Sequence, residues 1–357
     1  MKKRILVFPA GMPRSLSYLA RAVEEGNEVI GASSLHHDPA RDRYPAWAYL
    51  PYITSNDFDA ALQELVAKHE IDSIFSPNPA AWTYFNQRLG EICEGVSLAN
   101  GSPVDLELEP FRRARDFAKS FSWTSRPFIN EDLQRESSEI EIASLFKHAD
   151  QIPGMCDHDK IRALCEIFRC APRGDVVEIG SWWGKSAFVL LRLSQLHSIG
   201  SVLCVDPWAN ENLVQEDEKG LVDQVEIDAN EALGVFQQNL LPYAKNDFNY
   251  LRLPSIEGAS VYRRQREFKT EVFGDVRYSG EISVLHIDGN HSLDAVRSDR
   301  DAWCDLVVPG GWIIFDDYRW PYGDGPRIIG NEFLSQNNTL IAGSFVSGGA
   351  LFVRLAR

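Results

Sequence analysis

The chain has 357 residues, 44% of them hydrophobic, which is enough for two cores because a single core rarely grows beyond about 250–300 residues. The formal net charge of −15 and the pI near 5.0 argue against a nucleic-acid partner, since a phosphate-binding surface needs clustered basic side chains. The six cysteines form no CxxC pair, which is typical of reduced cytoplasmic thiols. No apolar run reaches the roughly 18 residues of a membrane span, so we expect a soluble, cytoplasmic protein without a membrane partner.

The first hundred residues alternate apolar strand runs with helical patterns. Strands are predicted at residues 4–9, 28–32 and 71–75, with helices at 16–23 and 58–69 between them. This order predicts a small parallel α/β layer. The runs RAVEEGNEVIGAS and AALQELVAKHEIDSIFSP resemble the domain that precedes ATP-grasp enzymes, but no ATP-grasp catalytic portion follows them, so the resemblance does not imply ligase activity.

A charged stretch, EDLQRESSEIE at residues 131–141, separates this layer from the rest of the chain. Its composition indicates a solvated helix or linker. We therefore divide the chain into a Rossmann-like α/β domain at 1–130, a helical linker at 131–170 and a second α/β domain at 171–357.

The second domain opens with a strand, a glycine turn and a helix. Residues 175–180 (DVVEIG) have the pattern of a buried strand, SWWGKS follows, and an apolar helix is predicted at 187–196. Gly180 permits a tight turn, and Gly184 would let an anionic group approach the helix start. The Gly-x-x-x-Gly spacing differs from the Gly-x-Gly-x-x-Gly of NAD-binding proteins, which argues against an oxidoreductase. Ser186, at the helix start, is a capping residue or a contact to the anionic group, and the two roles are not exclusive.

Asp206 ends the next predicted strand, residues 201–205. An acidic residue at this position can accept both ribose hydroxyls of an adenosine, although an aspartate there is also a common helix cap. Further strands are predicted at 249–253, 284–287 and 311–315. Residues 339–346 and 350–355 form a closing antiparallel hairpin.

The segments VVEIGSWWGKS, VLCVDPW, VLHIDGNHS and PGGWIIFDDY, with that hairpin, resemble class I S-adenosylmethionine (SAM)-dependent methyltransferases over about residues 152–357. The segment 152–155 (IPGM) resembles the entry segment of the macrocin-type, metal-dependent sugar O-methyltransferases. The resemblance implies a Rossmann-like seven-stranded sheet and SAM as cofactor. The cofactor-binding candidates are Glu178, Gly180, Ser181, Gly184, Ser186, Asp206, Ser255 and Asp288.

Acidic residues follow two of the later strands. Asp288 and His291 come after one strand, and Asp316 and Asp317 come after the next, so three carboxylates converge at one sheet edge. A hard divalent cation with oxygen ligands, Mg²⁺ above all, would relieve their repulsion. The macrocin-type resemblance implies that Asp288, Asp316 and Asp317 are metal ligands and that His291 is the general base.

Simpler interpretations remain for the same residues. Asp316 and Asp317 could cap the following turn, and His291 could be a packed or hydrogen-bonded turn histidine. His286, inside an apolar run, is better explained as a satisfied core or supporting histidine than as a ligand. The aromatic, glycine-rich segment 318–326 (YRWPYGDGP) is either an acceptor-binding lid or an ordinary loop.

The sequence thus predicts an O-methyltransferase, dependent on SAM and Mg²⁺, with catalytic His291 and Asp288. Its expected acceptor is a small hydroxylated molecule such as a sugar or a glycosylated metabolite, and a homo-oligomer is compatible with the sequence. The alternatives are a metal-independent N-methyltransferase of the same fold and a scaffold protein that binds SAM without transferring a methyl group.

Overall fold

A computed structural model describes residues 2–123, 133–210 and 228–357. The chain divides into two compact units, Met1–Arg112 and Arg113–Arg357, and the border falls inside helix α4 (Pro103–Lys119). The domain border expected between residues 130 and 131 lies outside the described residues. Among the helices described, none combines the length and the apolarity needed to cross a membrane.

The N-terminal unit contains a five-stranded, fully parallel sheet with the strand order β3-β2-β1-β4-β5. Its strands are β1 (Arg4–Val7), β2 (Glu28–Ser33), β3 (Ala46–Tyr49), β4 (Ser73–Phe75) and β5 (Ser97–Leu98), and its helices are α1 (Pro13–Glu24), α2 (Phe58–His69) and α3 (Pro79–Ile92). The expected small parallel α/β layer is confirmed. Strand β3 escaped prediction because its four residues are half-buried or exposed and lack a buried apolar face.

The C-terminal unit is built around a seven-stranded sheet with the order β13-β14-β12-β11-β6-β7-β8 and a separate β9-β10 pair. Its strands are β6 (Asp175–Ile179), β7 (Val202–Val205), β8 (Phe248–Leu251), β9 (Glu267–Thr270), β10 (Gly274–Arg277), β11 (Ile282–Ile287), β12 (Val307–Phe315), β13 (Ile341–Ser347) and β14 (Ala350–Leu355). Its helices after α4 are α5 (Glu139–Gln151), α6 (His158–Phe168), α7 (Lys185–His197), α8 (Ala229–Leu240), α9 (Ser255–Arg264), α10 (Leu293–Trp303) and α11 (Gly325–Gln336).

The predicted architecture of this unit is confirmed. Strands β6, β7, β8, β11 and β12 are parallel, whereas β14 pairs antiparallel with both β12 and β13. All five residues of β6 are buried, as expected for a central parallel strand covered on both faces. Helix α7 buries nine of its 13 residues against the core, among them six apolar ones.

The strand register brings the candidate residues to one edge. Ile179, Ile287 and Phe315 are aligned across β6, β11 and β12. The next residues in the chain, Gly180, Asp288 and Asp316, therefore leave the sheet side by side at its carboxyl edge. In parallel α/β sheets this edge carries the functional site.

Candidate active site

The turn after β6 is folded tightly against the turn after β11. Gly180 has φ +78°, and a Cβ atom on it would lie 2.2 Å from the carbonyl oxygen of Asp288. Only glycine fits both the backbone conformation and the space. The sequence assigned the same role to Gly180, a tight turn after the strand.

Helix α7 begins at Gly184, and no described side chain caps its first amide groups. These unpaired N–H groups fit the carboxylate end of SAM, because a helix N-terminus binds anions. A Cβ atom on Gly184 would meet Leu240 and Phe236 of α8 at 2.5 and 3.0 Å, so packing against α8 also demands a glycine here. The hydroxyl of Ser181 is buried and has no hydrogen-bond partner among the described residues, which leaves it available to a ligand.

Asp206 holds the glycine turn from the end of β7. Its Oδ2 accepts hydrogen bonds from the backbone amides of Ser181 at 2.8 Å and Trp182 at 3.1 Å, and its Oδ1 accepts one from Trp208 at 2.8 Å. Burial raises the pKa of this carboxyl although these amides lower it. Asp206 is therefore a cap of the turn in this structure, and its contact with a ribose stays a prediction.

The other cofactor candidates take mainly structural positions. Ser186 is buried in the first turn of α7, and the Ser255 hydroxyl accepts a hydrogen bond of 3.0 Å from the indole of Trp303. Glu178 is fully buried within β6 and accepts a hydrogen bond of 3.0 Å from His286 Nδ1. Adenine binding by Ser255 stays a prediction.

The candidate metal ligands lie together at the sheet edge. Side-chain oxygen or nitrogen atoms of Asp288, His291 and Asp317 all lie within 4.8 Å of one another, and the same holds for His286, Asp288 and Asp316. Asp288 thus belongs to both groups. The first group is partly exposed, whereas His286 and Asp316 are buried.

The buried group of His286, Asp288 and Asp316 differs from the more open group because a lysine is paired with one of its carboxylates. Asp316 ion-pairs with the ammonium of Lys160, and His286 Nε2 lies 3.4 Å from Asp316 Oδ2. Burial acts to raise the pKa of Asp316, but Lys160 and His286 hold it well below its usual range. Burial lowers the pKa of His286, yet hydrogen bonding with Asp316 and Glu178 raises it to about 10, so this ring is protonated at neutral pH. His286 is therefore a supporting histidine, as its sequence context indicated.

Lys160 is the main residue of the site that the sequence did not reveal. It lies in the first turn of α6, and its side chain is only 2% exposed. A signal was present, because Lys160 shares one helical stripe with Leu164 and Ile167 and thus interrupts an apolar face.

His291 lies on the open side of the cluster. Its side chain is 10% exposed, and its Nε2 is 2.9 Å from Asp317 Oδ2. Its Nδ1 has no hydrogen-bond partner among the described residues, whereas the angles of the close contact between its Nε2 and Asp317 fall outside those of a hydrogen bond. The ring of Trp320 packs edge-on against His291 with centroids 4.4 Å apart, and Tyr322 packs against Trp320 in turn. Segment 318–326 thus places one aromatic ring against the histidine and a second ring against the first.

These residues fit the two groups that the sequence implies. The helix start and the Ser181 hydroxyl suit the amino-acid end of SAM. Asp288 and Asp317 offer the carboxylate oxygens that Mg²⁺ prefers, with no lysine or arginine within 4.0 Å of either among the described residues.

Comparison with known families agrees with this topology. Residues 177–318 match the family described as a methyltransferase domain. The matched stretch runs from β6 through β12 and includes the glycine turn, Asp206, Asp288 and both aspartates after β12. The Arg113–Arg357 unit thus carries a methyltransferase domain on a mostly parallel, Rossmann-like seven-stranded sheet, and the protein is a SAM-dependent methyltransferase.

Similar solved structures are distant. The O-methyltransferase NovP is 16% identical over 56% of this chain and 81% of its own, with a TM-score of 0.37. CalS11, a TDP-rhamnose 3'-O-methyltransferase of calicheamicin biosynthesis, is 13% identical over 72% of this chain and 96% of its own, with a TM-score of 0.38. MycE from the mycinamycin biosynthetic pathway, solved with Mg, SAH and mycinamycin VI, is 16% identical over 52% of this chain and 45% of its own, with a TM-score of 0.31. Likenesses this distant carry no argument about substrate or mechanism. No curated protein matches the sequence.

Proposed function

We propose that the protein transfers the methyl group of SAM to a hydroxyl oxygen of a small acceptor, with His291 as general base and a divalent cation, Mg²⁺ for preference, held by Asp288 and Asp317. One observation carries this proposal. His291 is largely buried beside two carboxylates, with its Nε2 2.9 Å from Asp317 Oδ2, yet its Nδ1 lacks a hydrogen-bond partner among the described residues. A buried polar atom without a partner is costly, so such an atom marks a place where a substrate completes the site.

Each residue has a role in this chemistry. SAM, when bound, supplies an electrophilic methyl group, and the cation supplies a positive charge that favours an ionised hydroxyl. His291 accepts the hydroxyl proton as the methyl group passes from sulfur to oxygen, since a neutral aliphatic hydroxyl is a poor nucleophile. Asp317 faces the ring and stabilises the imidazolium that forms.

The surroundings of His291 favour an acceptor with an apolar face. Trp320 lies against the histidine, and Tyr322, 51% exposed, lies next to Trp320. Aromatic rings at a site edge bind the flat or apolar side of a ligand while polar groups bind its hydroxyls. A sugar or a glycosylated metabolite has both kinds of surface.

The experiment measures transfer of a labelled methyl group from SAM to a panel of hydroxylated acceptors, with Mg²⁺ and with EDTA. We expect turnover with Mg²⁺ and its loss with EDTA. His291→Gln should lower kcat by about 100-fold or more, because a positioned general base contributes about 10²–10⁴-fold. Binding of S-adenosylhomocysteine should stay unchanged.

His158→Gln is the matched control, because His158 is an exposed histidine of the same unit. Normal turnover by a folded His291→Gln variant would remove His291 from the role of base. Turnover of amines that is indifferent to EDTA would favour the N-methyltransferase, and cofactor binding without transfer to any acceptor would favour the scaffold protein.

A further inference from the structure

Lys160 brings a permanent positive charge into the candidate cation site. Its ammonium group pairs with Asp316 and also donates a hydrogen bond of 3.4 Å to the carbonyl oxygen of Met155. Removing a lysine ammonium from water is unfavourable, and the nearby carboxylates of Asp316 and Asp288 offset this cost. Its place in the first turn of α6 adds a further cost, since the helix N-terminus repels a cation. Stability alone does not explain this residue.

The ammonium divides the carboxylates into two sets. Asp316 is ion-paired with the ammonium of Lys160, and its Oδ2 also lies 3.4 Å from His286 Nε2. Asp288 belongs to both groups, but neither it nor Asp317 has a lysine or arginine within 4.0 Å among the described residues, and both lie with His291 in the more open group. A divalent cation is therefore attracted to the Asp288–Asp317 side and repelled from the Asp316 side.

The surrounding structure fixes Lys160 in place. Asp157 caps α6 by accepting a hydrogen bond of 2.7 Å from the Lys160 amide. The turn between β13 and β14 holds the same helix start, because Ser347 donates a hydrogen bond of 3.0 Å to the carbonyl oxygen of Asp159. The ammonium is thus preorganised against Asp316.

We propose that Lys160 is a positioning residue that occupies Asp316, confines the divalent cation to Asp288 and Asp317, and weakens its binding. This inference rests on the cation site of the proposed function. It assigns Asp316 the role of counterion to Lys160, whereas the sequence indicated a direct metal ligand.

The test measures binding of Mn²⁺ alone to the full-length protein by calorimetry, without SAM or acceptor. Lys160→Met should bind Mn²⁺ at least about tenfold more tightly than the wild type, because a nearby positive charge is gone and Asp316 becomes free to bind. Lys245→Met, which removes an exposed lysine of the same unit, should leave the affinity unchanged.

A second pair of variants keeps the test valid if Lys160→Met fails to fold. Asp316→Asn leaves the ammonium unpaired and should weaken Mn²⁺ binding. The double variant Lys160→Met/Asp316→Asn carries neither charge and should bind Mn²⁺ at least as tightly as the wild type. If Asp316 were a direct ligand, the double variant would bind as weakly as Asp316→Asn, and that result would overturn the proposal.

The outcomes also separate this inference from the proposed function. Equal Mn²⁺ affinity of the wild type and a folded Lys160→Met variant overturns the role of Lys160 and leaves the cation site standing. Mn²⁺ binding by Lys160→Met but not by the wild type would show that the ammonium excludes the cation, and it would overturn both the confinement to Asp288 and Asp317 and the cation site of the proposed function. If neither protein nor the double variant binds Mn²⁺ while S-adenosylhomocysteine still binds, the cation site and the role of Lys160 both fail, and the methyltransferase assignment remains.

Discussion

A buried histidine remote in sequence from the cluster, His197, makes the stability of the C-terminal unit depend on pH. It ends helix α7, is 3% exposed, and its Nδ1 lies 3.3 Å from the Gln134 side-chain oxygen. Its Nε2 has no partner among the described residues. Burial, assisted by Arg135 and Arg169, lowers the pKa of His197 to about 4. His197 is therefore protonated below about pH 6.5 in the unfolded chain, but only near pH 4 in the folded protein.

This depressed pKa predicts acid destabilisation. The contribution of His197 to the free energy of unfolding is fully present above about pH 6.5 and is lost as the pH falls towards about 4, because the unfolded state then binds the extra proton. At its limit the loss is on the order of 3 kcal/mol. Urea denaturation of the full chain at pH 7 and pH 5 measures it, and His197→Gln should lose less stability between the two than the wild type.

Asp299 changes the free energy of unfolding with pH in the opposite direction to His197. The effect of His197 must therefore be measured by comparing the wild type with a His197 variant. Burial raises the pKa of this carboxyl to about 6, so its contribution is fully present below its ordinary pKa near 3.8 and is lost as the pH rises through about 6. His158→Gln serves as the control for an exposed histidine. The assignment to His197 would be wrong if His197→Gln and the wild type lost equal stability from pH 7 to pH 5.

For single residues of the site, the sequence showed which side chains would lie there better than it showed which groups they would contact. Asp288, His291 and Asp317 were predicted to converge because they follow neighbouring parallel strands, and the register brings them together. Lys160 was missed because its partner Asp316 is 156 residues away, and its place on the apolar stripe of α6 indicates burial without identifying a partner. For the same reason, the hydrogen bonds that tie Asp206 to the glycine turn could not be foreseen.

Among the elements, the β13–β14 turn is coupled to the start of α6. Gly348 has φ +55°, and a Cβ atom on it would lie 2.3 Å from Asp157 Oδ1 and 2.4 Å from the Lys160 amide nitrogen. Gly349 has φ +78°, but a Cβ atom there would find its nearest neighbour, the Arg319 carbonyl oxygen, at 4.0 Å. A side chain would therefore strain the backbone at both glycines but would clash with neighbouring atoms only at Gly348.

Gly348→Ala should destabilise the unit more than Gly349→Ala. Both variants place a side chain in the left-handed region, at a cost of roughly 1–2 kcal/mol, but only Gly348→Ala also pushes the backbone at the start of α6. We expect a lower Tm for Gly348→Ala, measured by thermal unfolding of both variants. Equal Tm values would show that the turn does not press on α6, and the positioning of Lys160 would then depend on the Asp157 cap alone.

The accuracy of the predicted strand boundaries depended on the residue types at the strand ends. The central strands β6 and β11 were predicted within two residues because they are continuous buried apolar runs. Strand β12 begins four residues earlier than residue 311, since Pro309, Gly310 and Gly311 interrupt the pattern with turn-forming residues. The β9–β10 pair was missed because its exposed charged residues outnumber its buried ones.

For the whole molecule, fold class was accessible from the alternation of strands and helices, whereas the role of the N-terminal unit was not. The family match covers residues 177–318 and so lies entirely in the C-terminal unit. The N-terminal run FPAG has a single turn glycine and no phosphate-binding motif around it. A sheet of this kind hosts many unrelated functions, so its fold does not indicate a ligand.

The two units have separate cores, which predicts two unfolding transitions. The N-terminal unit packs around residues such as Leu6, Ile30 and Ile74, and the C-terminal unit around residues such as Val176 and Ile313. A ligand stabilises only the unit that binds it, by RT ln(1 + [L]/Kd). S-adenosylhomocysteine at about 100 times its Kd should therefore stabilise the C-terminal unit by about 2.7 kcal/mol and leave the other transition unchanged.

Calorimetric scans of the full chain with and without S-adenosylhomocysteine measure this effect. We expect the Tm of one transition, that of the methyltransferase unit, to rise with the concentration of S-adenosylhomocysteine, and the Tm of the other transition to stay constant. Asp206→Ala identifies that transition, since it removes the carboxylate that accepts three backbone hydrogen bonds at the glycine turn and should lower the same Tm. A single transition that shifts as a whole with ligand would mean that the two cores unfold cooperatively, and the N-terminal unit would then contribute directly to the stability of the cofactor site.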